Sequence, residues 1–372
     1  MSGFNAKIED MTQNKEKMME KISPIKLGLS FAGCFLGAGY VSGQELWQFF
    51  GSFGAKGFLG LAITMALLYA IGVLMIRLNQ ETGLAEVDRL VVRRNITALR
   101  IAVFVLEAVF LFGVCVIMAA GVGALLNQLF GLPTWIGCAL FTFAVAAASL
   151  AGLEGMVKAF SVSVPILVGV TFLFGLTALI KGGMPELPHT ASGSNPLMGS
   201  WLVAALTFTC YNVFGSIAIV SPLGQFAKDK RTVLGGMGIG ALMLLVIALS
   251  VLVSVSAESS AVSAELPMLA IASEKNAILG FVYGFLLLIA MFGTSLSSLV
   301  AFTNMLCLKS EKIGSQKVTM VAVFALGMFV GSLFGFGDLI GIIYPVFGYC
   351  SSVFIVLMIS HYIKVRRLKE HE

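Results

Sequence analysis

The first apolar stretch of the chain, IKLGLSFAGCFLGAGYVSGQELWQFFGSF at residues 25–53, is interrupted at its centre by glycines. These glycines are Gly33, Gly37, Gly39 and Gly43, and Glu45 follows two residues after the last of them. Glycine costs a helix about 1 kcal/mol relative to alanine, and a carboxylate in hydrocarbon costs several kcal/mol more. A simple membrane anchor needs neither feature, whereas a half-unwound helix at mid-membrane is typical of binding sites in secondary transporters.

The composition of the whole chain predicts a membrane protein. It is 58% hydrophobic and 12% charged, whereas soluble proteins carry about 25% charged residues. A helix needs about 20 apolar residues to cross a bilayer. Ten stretches qualify, at roughly 25–53, 57–77, 101–128, 133–151, 157–180, 199–226, 233–256, 278–308, 318–335 and 339–363. The predicted fold class is therefore an all-α polytopic membrane protein with ten transmembrane helices.

Lysine and arginine residues predict the orientation in the membrane. If the N-terminus is cytoplasmic, all of them fall on the cytoplasmic side except Lys56, Lys181 and Lys275, as the positive-inside rule requires. We therefore expect both termini to be cytoplasmic, in the cytoplasmic (inner) cell membrane. The net charge of +5 is then a signal of orientation and gives no reason to expect nucleic-acid binding.

The sixth apolar stretch predicts an internal repeat. It contains the polar, glycine-bearing segment Tyr211–Ser216 and then Pro222, which removes a backbone donor. Interruptions five helices apart are typical of inverted repeats with a site at the membrane midplane. We therefore predict a 5+5 inverted repeat with broken helices 1 and 6. The predicted units are an N-terminal tail (1–24), a first repeat (25–180), an outer loop (181–198), a second repeat (199–365) and a C-terminal tail (366–372).

Two connections carry helical patterns of their own. Residues 78–100 are amphipathic and are expected to lie at the membrane interface. Residues 257–277 contain Pro267 and an apolar patch, which predict a short outer helix over an entrance.

The two interruptions predict a substrate site. Free amides at the start of an outer half-helix attract a carboxylate, because the helix dipole adds to them. The candidate residues are Gly37, Ala38, Gly39 and Tyr40 in the first break and Tyr211, Asn212, Phe214 and Ser216 in the second. We assign the Gly37 and Gly39 amides to the substrate carboxylate and the second set to the rest of the pocket. The alternative for the glycines is close helix packing, as in G-x-x-x-G motifs.

Other candidate residues concern coupling ions. The eighth span contains the hydroxyl run Thr294–Ser298, whose oxygens suit Na⁺ but also bond to carbonyls one turn back. Glu45 and Glu107 are possible coupling carboxylates, because ionisable groups within membranes are usually functional. The alternative for Glu107 is an ion pair with a basic residue. The alternative for Glu45 is that it lies in the first turn of a helix, where the helix dipole stabilises a negative charge whatever the function. The six cysteines have no metal-type spacing and are expected to be small core residues.

The motif GAGYVSGQELWQFF (Gly37–Phe50) resembles the uncharacterised YkvI-type membrane proteins, and the resemblance extends over about residues 25–365. That group belongs to the amino acid–polyamine–organocation superfamily with the leucine-transporter fold, which implies the 5+5 core. A more distant resemblance to sodium-coupled amino acid symporters implies one Na⁺ site and residues that close over the substrate, Phe208 and Phe214. Tyr40 stands where those symporters have an asparagine for a second Na⁺. The implied Na⁺ ligands are Gly33, Leu36, Thr294, Ser297 and Ser298.

These observations predict a secondary transporter that works by alternating access on an amino acid or a similar small amine or carboxylate. One Na⁺ is the expected coupling ion and no other cofactor is expected; H⁺-coupled or ion-independent transport are the alternatives. No nucleophile–base set is present, so we do not expect an enzyme. The expected partners are the lipid bilayer and a small-molecule substrate, for a monomer or homodimer. A rival class is a ligand-sensing subunit resembling the permease-like subunits of spore germinant receptors, and a weaker one is an ion or water channel.

Overall fold

A computed structural model describes residues 22–84, 87–92, 96–151, 156–182, 195–227, 229–307 and 317–369. Most of the predicted N-terminal tail, most of the predicted outer loop and the end of the C-terminal tail lie outside the described residues. The helices are α1 (Pro24–Phe35), α2 (Ala38–Ser42), α3 (Gln44–Phe49), α4 (Ala55–Thr82), α5 (Val87–Val91), α6 (Thr97–Phe130), α7 (Thr134–Ala151), α8 (Met156–Gly182), α9 (Trp201–Val220), α10 (Lys230–Ala257), α11 (Pro267–Lys275), α12 (Ala277–Cys307), α13 (Lys317–Ser332) and α14 (Phe336–Lys369).

The prediction of ten apolar spans is confirmed at the level of helices. By length and composition, α4, α6, α10, α12 and α14 are able to cross a membrane, and α1, α7, α8, α9 and α13 are shorter apolar helices. Each of the ten predicted stretches overlaps one of them, and the described part of the chain has no β-strand. The chain is a multi-pass membrane protein. Its two faces are named inner and outer here, according to the orientation predicted from lysine and arginine.

The predicted break in the first span is confirmed, and the backbone shows its cause. Helix α1 ends at Phe35, and the Gly37 amide donates to the Phe35 carbonyl (2.8 Å) instead of to the carbonyl of Gly33. The Tyr40 amide likewise donates to Gly37 (3.1 Å) instead of to Leu36. A second bend follows at Gly43, whose φ of 89° is readily adopted only by glycine. The first span therefore consists of α1, α2 and α3.

The predicted position of the break in the sixth span is wrong. Helix α9 runs through Tyr211–Ser216 without interruption, because the side chains of Asn212 and Ser216 are satisfied within the helix. The Asn212 amide donates to the Phe208 carbonyl (3.0 Å), and the Ser216 hydroxyl donates to the Val213 carbonyl (2.8 Å). The α-helical bonding changes to a 3₁₀-helix only at Ser221–Gln225, where Pro222 lacks a donor.

Two short helices, α11 and α5, pack against the spans. The predicted outer helix is confirmed as α11, and its Met268 side chain lies beside Gly43 at the bend of the first span. The amphipathic segment near residue 90 forms α5, and its apolar residues pack on protein. Leu90 is buried, and its carbonyl lies 2.9 Å from Nδ1 of His361 in α14. The apolar face of α5 is therefore covered by protein.

Tyr283 in α12 ties the first span to its neighbours, and its loss is expected to destabilise the fold. Its buried hydroxyl donates to the Val41 carbonyl (2.8 Å) and lies 2.9 Å from the Thr171 hydroxyl. Tyr283→Phe leaves both groups without this partner, and we expect a loss of about 1–3 kcal/mol. Thermal unfolding in detergent measures the loss. The control is Tyr349→Phe, whose hydroxyl donates to Leu197 (2.6 Å) on a residue that is 47% exposed; equal losses would contradict the assignment.

Candidate functional site

Glu45 lies at the centre of a buried polar contact between the first and sixth spans. Its side chain, in the first turn of α3, is 5% exposed. The hydroxyl of Tyr211 donates to its Oε1 atom, and the Asn212 side chain lies next to the carboxyl. Oε2 packs against the backbone of Gly39, where a Cβ atom would overlap it. A carboxyl group is therefore enclosed between two spans at the outer end of the break.

Aromatic rings surround this carboxyl group. Tyr211 stacks on Tyr344 of α14, with 4.6 Å between ring centroids and 10° between planes. Phe208 lies 4.9 Å from Phe50 and 5.3 Å from Phe49, measured between ring centroids. All five rings are buried, and we call Phe49, Phe50, Phe208, Tyr211 and Tyr344 the aromatic cluster. Among the described residues, no cation forms an ion pair with Glu45.

Open space lies on the other side of the break. At Gly33 and at Gly37, no heavy atom lies within 4 Å of the position that a Cβ atom would take. Gly33 is exposed and Gly37 is half-buried. The carbonyls of Gly33 and Leu36 have lost their usual helical donors, as described above. Unpaired carbonyl oxygens beside open space are suited to a small cation.

The predicted substrate residues fall into two groups. Gly39, Tyr40, Phe208, Tyr211 and Asn212 lie together around Glu45 or the aromatic cluster. The Tyr40 hydroxyl is already bonded to the Leu244 carbonyl (2.7 Å), and the Gly37 amide, expected to be free, is bonded to Phe35.

The second group lies further along α9, toward the inner side. Phe214 is buried and 6.1 Å from the Phe354 ring, and the Ser216 hydroxyl is bonded within its own helix. The structure does not show either of them at Glu45. The backbone of Ala38 begins α2, and its side chain is outside the described residues.

The predicted Na⁺ ligands of the eighth span lie on α12, which packs against α2 just after the break. The Thr294 hydroxyl donates to the Ala290 carbonyl (3.0 Å), as hydroxyls in helices often do. Ser297 is exposed and Ser298 is buried. Within the described part of the chain, neither of their hydroxyls has a recorded hydrogen-bond partner.

Glu107, the second candidate coupling carboxylate, lies in a different environment. It is half-buried in the inner part of α6, and its charged neighbour is Asp88 of α5. Asp88 itself is paired with Arg100 at 2.6 Å. Glu107 therefore belongs to a charged region on the inner side.

Sequence reasoning missed Tyr344, whose ring stacks on Tyr211. Its only signal is that a tyrosine precedes Pro345 inside an apolar span, and this pattern does not indicate which helix it faces. Tyr283 was missed for the same reason, since its partners Val41 and Thr171 are far away in sequence.

Comparison with known proteins finds two relatives that match almost the whole chain and are described as uncharacterized. No family model matches the chain. It is 25% identical over 340 residues to the uncharacterized membrane protein YkvI of Bacillus subtilis (strain 168), covering 90% of this chain and 95% of the relative. It is 26% identical over 344 residues to the uncharacterized protein YyaD of the same organism, covering 91% and 96%. The chain is therefore similar to each relative over almost its whole length.

Solved structures show the same fold at low sequence identity. The inward-facing conformation of Mhp1 has a TM-score of 0.59 and 13% identity, covering 94% of this chain and 78% of that chain. Mhp1 in a closed conformation, described as a nucleobase-cation-symport-1 family transporter with bromovinylhydantoin bound, has a TM-score of 0.58 and 13% identity, covering 94% and 80%. A mutant of the manganese transporter of Eremococcus coleocola has a TM-score of 0.51 and 15% identity, covering 91% and 76%. The chain thus has the leucine-transporter-like fold of ten spans in two inverted repeats.

Proposed function

We propose that this protein is a secondary transporter that carries an amino acid or a similar small amine or carboxylate by alternating access, coupled to one Na⁺. The observation that carries the proposal is the break after α1. There the carbonyls of Gly33 and Leu36 have lost their helical donors, and space is open beside Gly33 and Gly37. Unwound backbone is tolerated at membrane depth only where it is buried in protein or lines a cavity.

The proposed Na⁺ ligands are the carbonyl oxygens of Gly33, Leu36 and Thr294 with the hydroxyls of Ser297 and Ser298. Oxygen ligands of this kind suit a hard monovalent cation. The open hydroxyls on α12 and the packing of this helix against α2 support the assignment. The proposed substrate site lies beside it, along Gly37 and Gly39 and toward Asn212.

Burial along the first span supports alternating access. Its outer part is enclosed, since Tyr40, Glu45 and Phe49 are buried, whereas Leu29 and Gly33 on α1 are exposed. This difference in burial supports an arrangement that is closed on the outer side and accessible on the inner side. The transport cycle would require the outer part to separate from α9 and α14. We further propose the inner cell membrane as the location, with both termini cytoplasmic, from the distribution of lysine and arginine.

Ser298→Ala tests the Na⁺ site. In the wild type, thermal stabilisation of the purified protein by one or more of the twenty amino acids should increase when Na⁺ replaces K⁺. Loss of one oxygen ligand worth about 1.4 kcal/mol weakens Na⁺ binding tenfold, so we expect the variant to need about ten times more Na⁺. The matched control is Ser295→Ala, because the Ser295 hydroxyl is buried on the same helix without a partner.

Two outcomes would contradict this proposal. A ligand effect that is the same in Na⁺ and K⁺, with Ser298→Ala unchanged, would contradict Na⁺ coupling. Binding of the stabilising amino acid without its uptake into proteoliposomes would contradict transport and favour a ligand-sensing subunit.

A further inference from the structure

The carboxyl group of Glu45 is buried where an ionised carboxylate would be unfavourable. The tyrosine hydroxyl of Tyr211 and the side chain of Asn212 lie beside it, with the aromatic cluster around Tyr211, and no described cation pairs with it. An ionised carboxylate in such a place costs several kcal/mol unless a cation or several donors compensate it. The donors beside it are the neutral hydroxyl of Tyr211 and the neutral side-chain amide of Asn212, and neither carries a compensating charge.

We propose that Glu45 is a proton-binding site of the transport cycle, which takes up one proton from the outer side when the outer part of the first span closes against α9. This inference extends the proposed function, because it adds a proton to the coupling ions and makes closure of the outer side its consequence. The step is the binding of H⁺ to the Glu45 carboxylate, which becomes a neutral carboxyl group; the proton later leaves toward the inner side, past the half-buried Asn212.

A proton fits this place better than a larger cation. The neighbouring rings of Phe49, Phe208, Tyr211 and Tyr344 are buried and in mutual contact, so little room is left for an ammonium group. Na⁺ would need several oxygen ligands, but beside the carboxyl group the described residues place only the hydroxyl of Tyr211 and the side chain of Asn212. A proton needs no volume and no further ligand.

Among the described residues, the titratable groups that the packed elements bring near Glu45 are phenols. Tyr40 is on the first span, Tyr211 on α9, Tyr344 on α14 and Tyr283 on α12. Helix α10 contributes Val251 and Val255 beside Gly43, and it has no titratable residue between Thr232 and Ala257. Because the phenols are neutral near pH 7, Glu45 is the one carboxyl group among these neighbours that a proton can neutralise.

The contacts of Glu45 explain how its charge would control closure. The bond from Tyr211 joins the first span to α9, and the stacking of Tyr211 on Tyr344 adds α14. A neutral carboxyl group is stable in this enclosed position. An ionised one is stable only in contact with water, which requires the first span to move away from the aromatic cluster.

Infrared spectroscopy of the purified protein, without any substrate, tests the protonation directly. A protonated carboxyl group has a carbonyl stretch that a carboxylate lacks. At neutral pH we expect this band in the wild type and its loss in Glu45→Gln, a variant of the same shape that still accepts a bond from Tyr211. The control is Asp338→Asn, since Asp338 is exposed. A band that remains unchanged in Glu45→Gln would overturn the proposal.

A second variant covers the case in which Glu45→Gln does not fold. Tyr211→Phe keeps the ring on Tyr344 but removes the donor to Glu45. If Glu45 is protonated, the band should move to higher frequency, because its carbonyl loses a hydrogen bond. A spectrum identical to that of the wild type would overturn the proposal.

Hydrogen exchange of residues 38–49 tests the link to closure. If opening releases one proton, the opening constant rises about tenfold per pH unit, whereas Glu45→Gln should show no such rise after correction for intrinsic exchange. Equal pH dependence in the two proteins would overturn the link. None of these measurements needs a substrate, so a failed transport assay would count against the proposed function alone.

Discussion

Replacing Gly39 by alanine is expected to displace the Glu45 carboxyl group and to weaken ligand binding by at least about tenfold, the equivalent of 1.4 kcal/mol. The new methyl group would overlap Oε2 of Glu45. This carboxyl cannot easily turn aside, because Tyr211 holds its other oxygen and buried rings surround it. The moved carboxyl group should lose its bond to Tyr211. The readouts are amino-acid-induced thermal stabilisation and the position of the Glu45 infrared band.

A double variant provides the control for this prediction. In Glu45→Ala the obstructing side chain is absent, so adding Gly39→Ala should cost little more than Glu45→Ala alone. The two effects should therefore be strongly non-additive, as expected for residues in contact. Additive losses would mean that Gly39 acts through its backbone conformation and not through space for Glu45.

Replacing Gly348 by alanine is expected to destabilise the fold by about 1–3 kcal/mol, the usual range for overpacking. A Cβ atom at Gly348 would lie 2.6 Å from both the Cβ atom and the carbonyl oxygen of Thr207, and 2.8 Å from its Cα atom. Backbone atoms cannot rotate away, so α14 and α9 would have to separate. The same two helices carry Tyr344 and Tyr211. Thermal unfolding and the yield of folded protein in detergent measure the effect.

The matched control for Gly348 lies two turns earlier in the same helix. A Cβ atom at Gly341 would also be tightly placed, but the nearest atoms are Nδ2 of Asn195 and Oε1 of Gln48, each at 2.9 Å. These are the ends of flexible side chains that can move. Gly341→Ala should therefore cost clearly less than Gly348→Ala, and an equal cost would contradict the backbone explanation.

The sequence was sufficient for the parts of the fold that depend on local composition. Ten apolar stretches predicted the ten apolar helices, and the dense glycines between Gly33 and Gly43 predicted the break of the first span. Pro267 and its apolar patch predicted α11. Hydrophobic length and backbone freedom are properties of a short segment, so they can be recognised without knowing its neighbours.

The same local reasoning failed where a residue had two ways to be satisfied. The polar residues Asn212 and Ser216 suggested an unwound helix, but both bond to carbonyls of their own turn and α9 stays intact. The amphipathic pattern around Leu90 showed an apolar face, but it did not show that α14 covers this face. Sequence patterns indicate that a group needs a partner, and they do not indicate which partner is present.

The sequence alone thus determined the membrane class of this protein, its spans and the broken first helix, since apolar length and glycine content act over one turn or one span. Only the tertiary structure decided that Glu45 meets Tyr211, 166 residues away, and that Tyr344 of a third span stacks behind it. These contacts depend on which helix faces are packed together, and that choice is made by the fit of whole helices to one another. The candidate proton site is therefore formed by the packing of three spans. Its residues can be read in the sequence, but their contacts cannot.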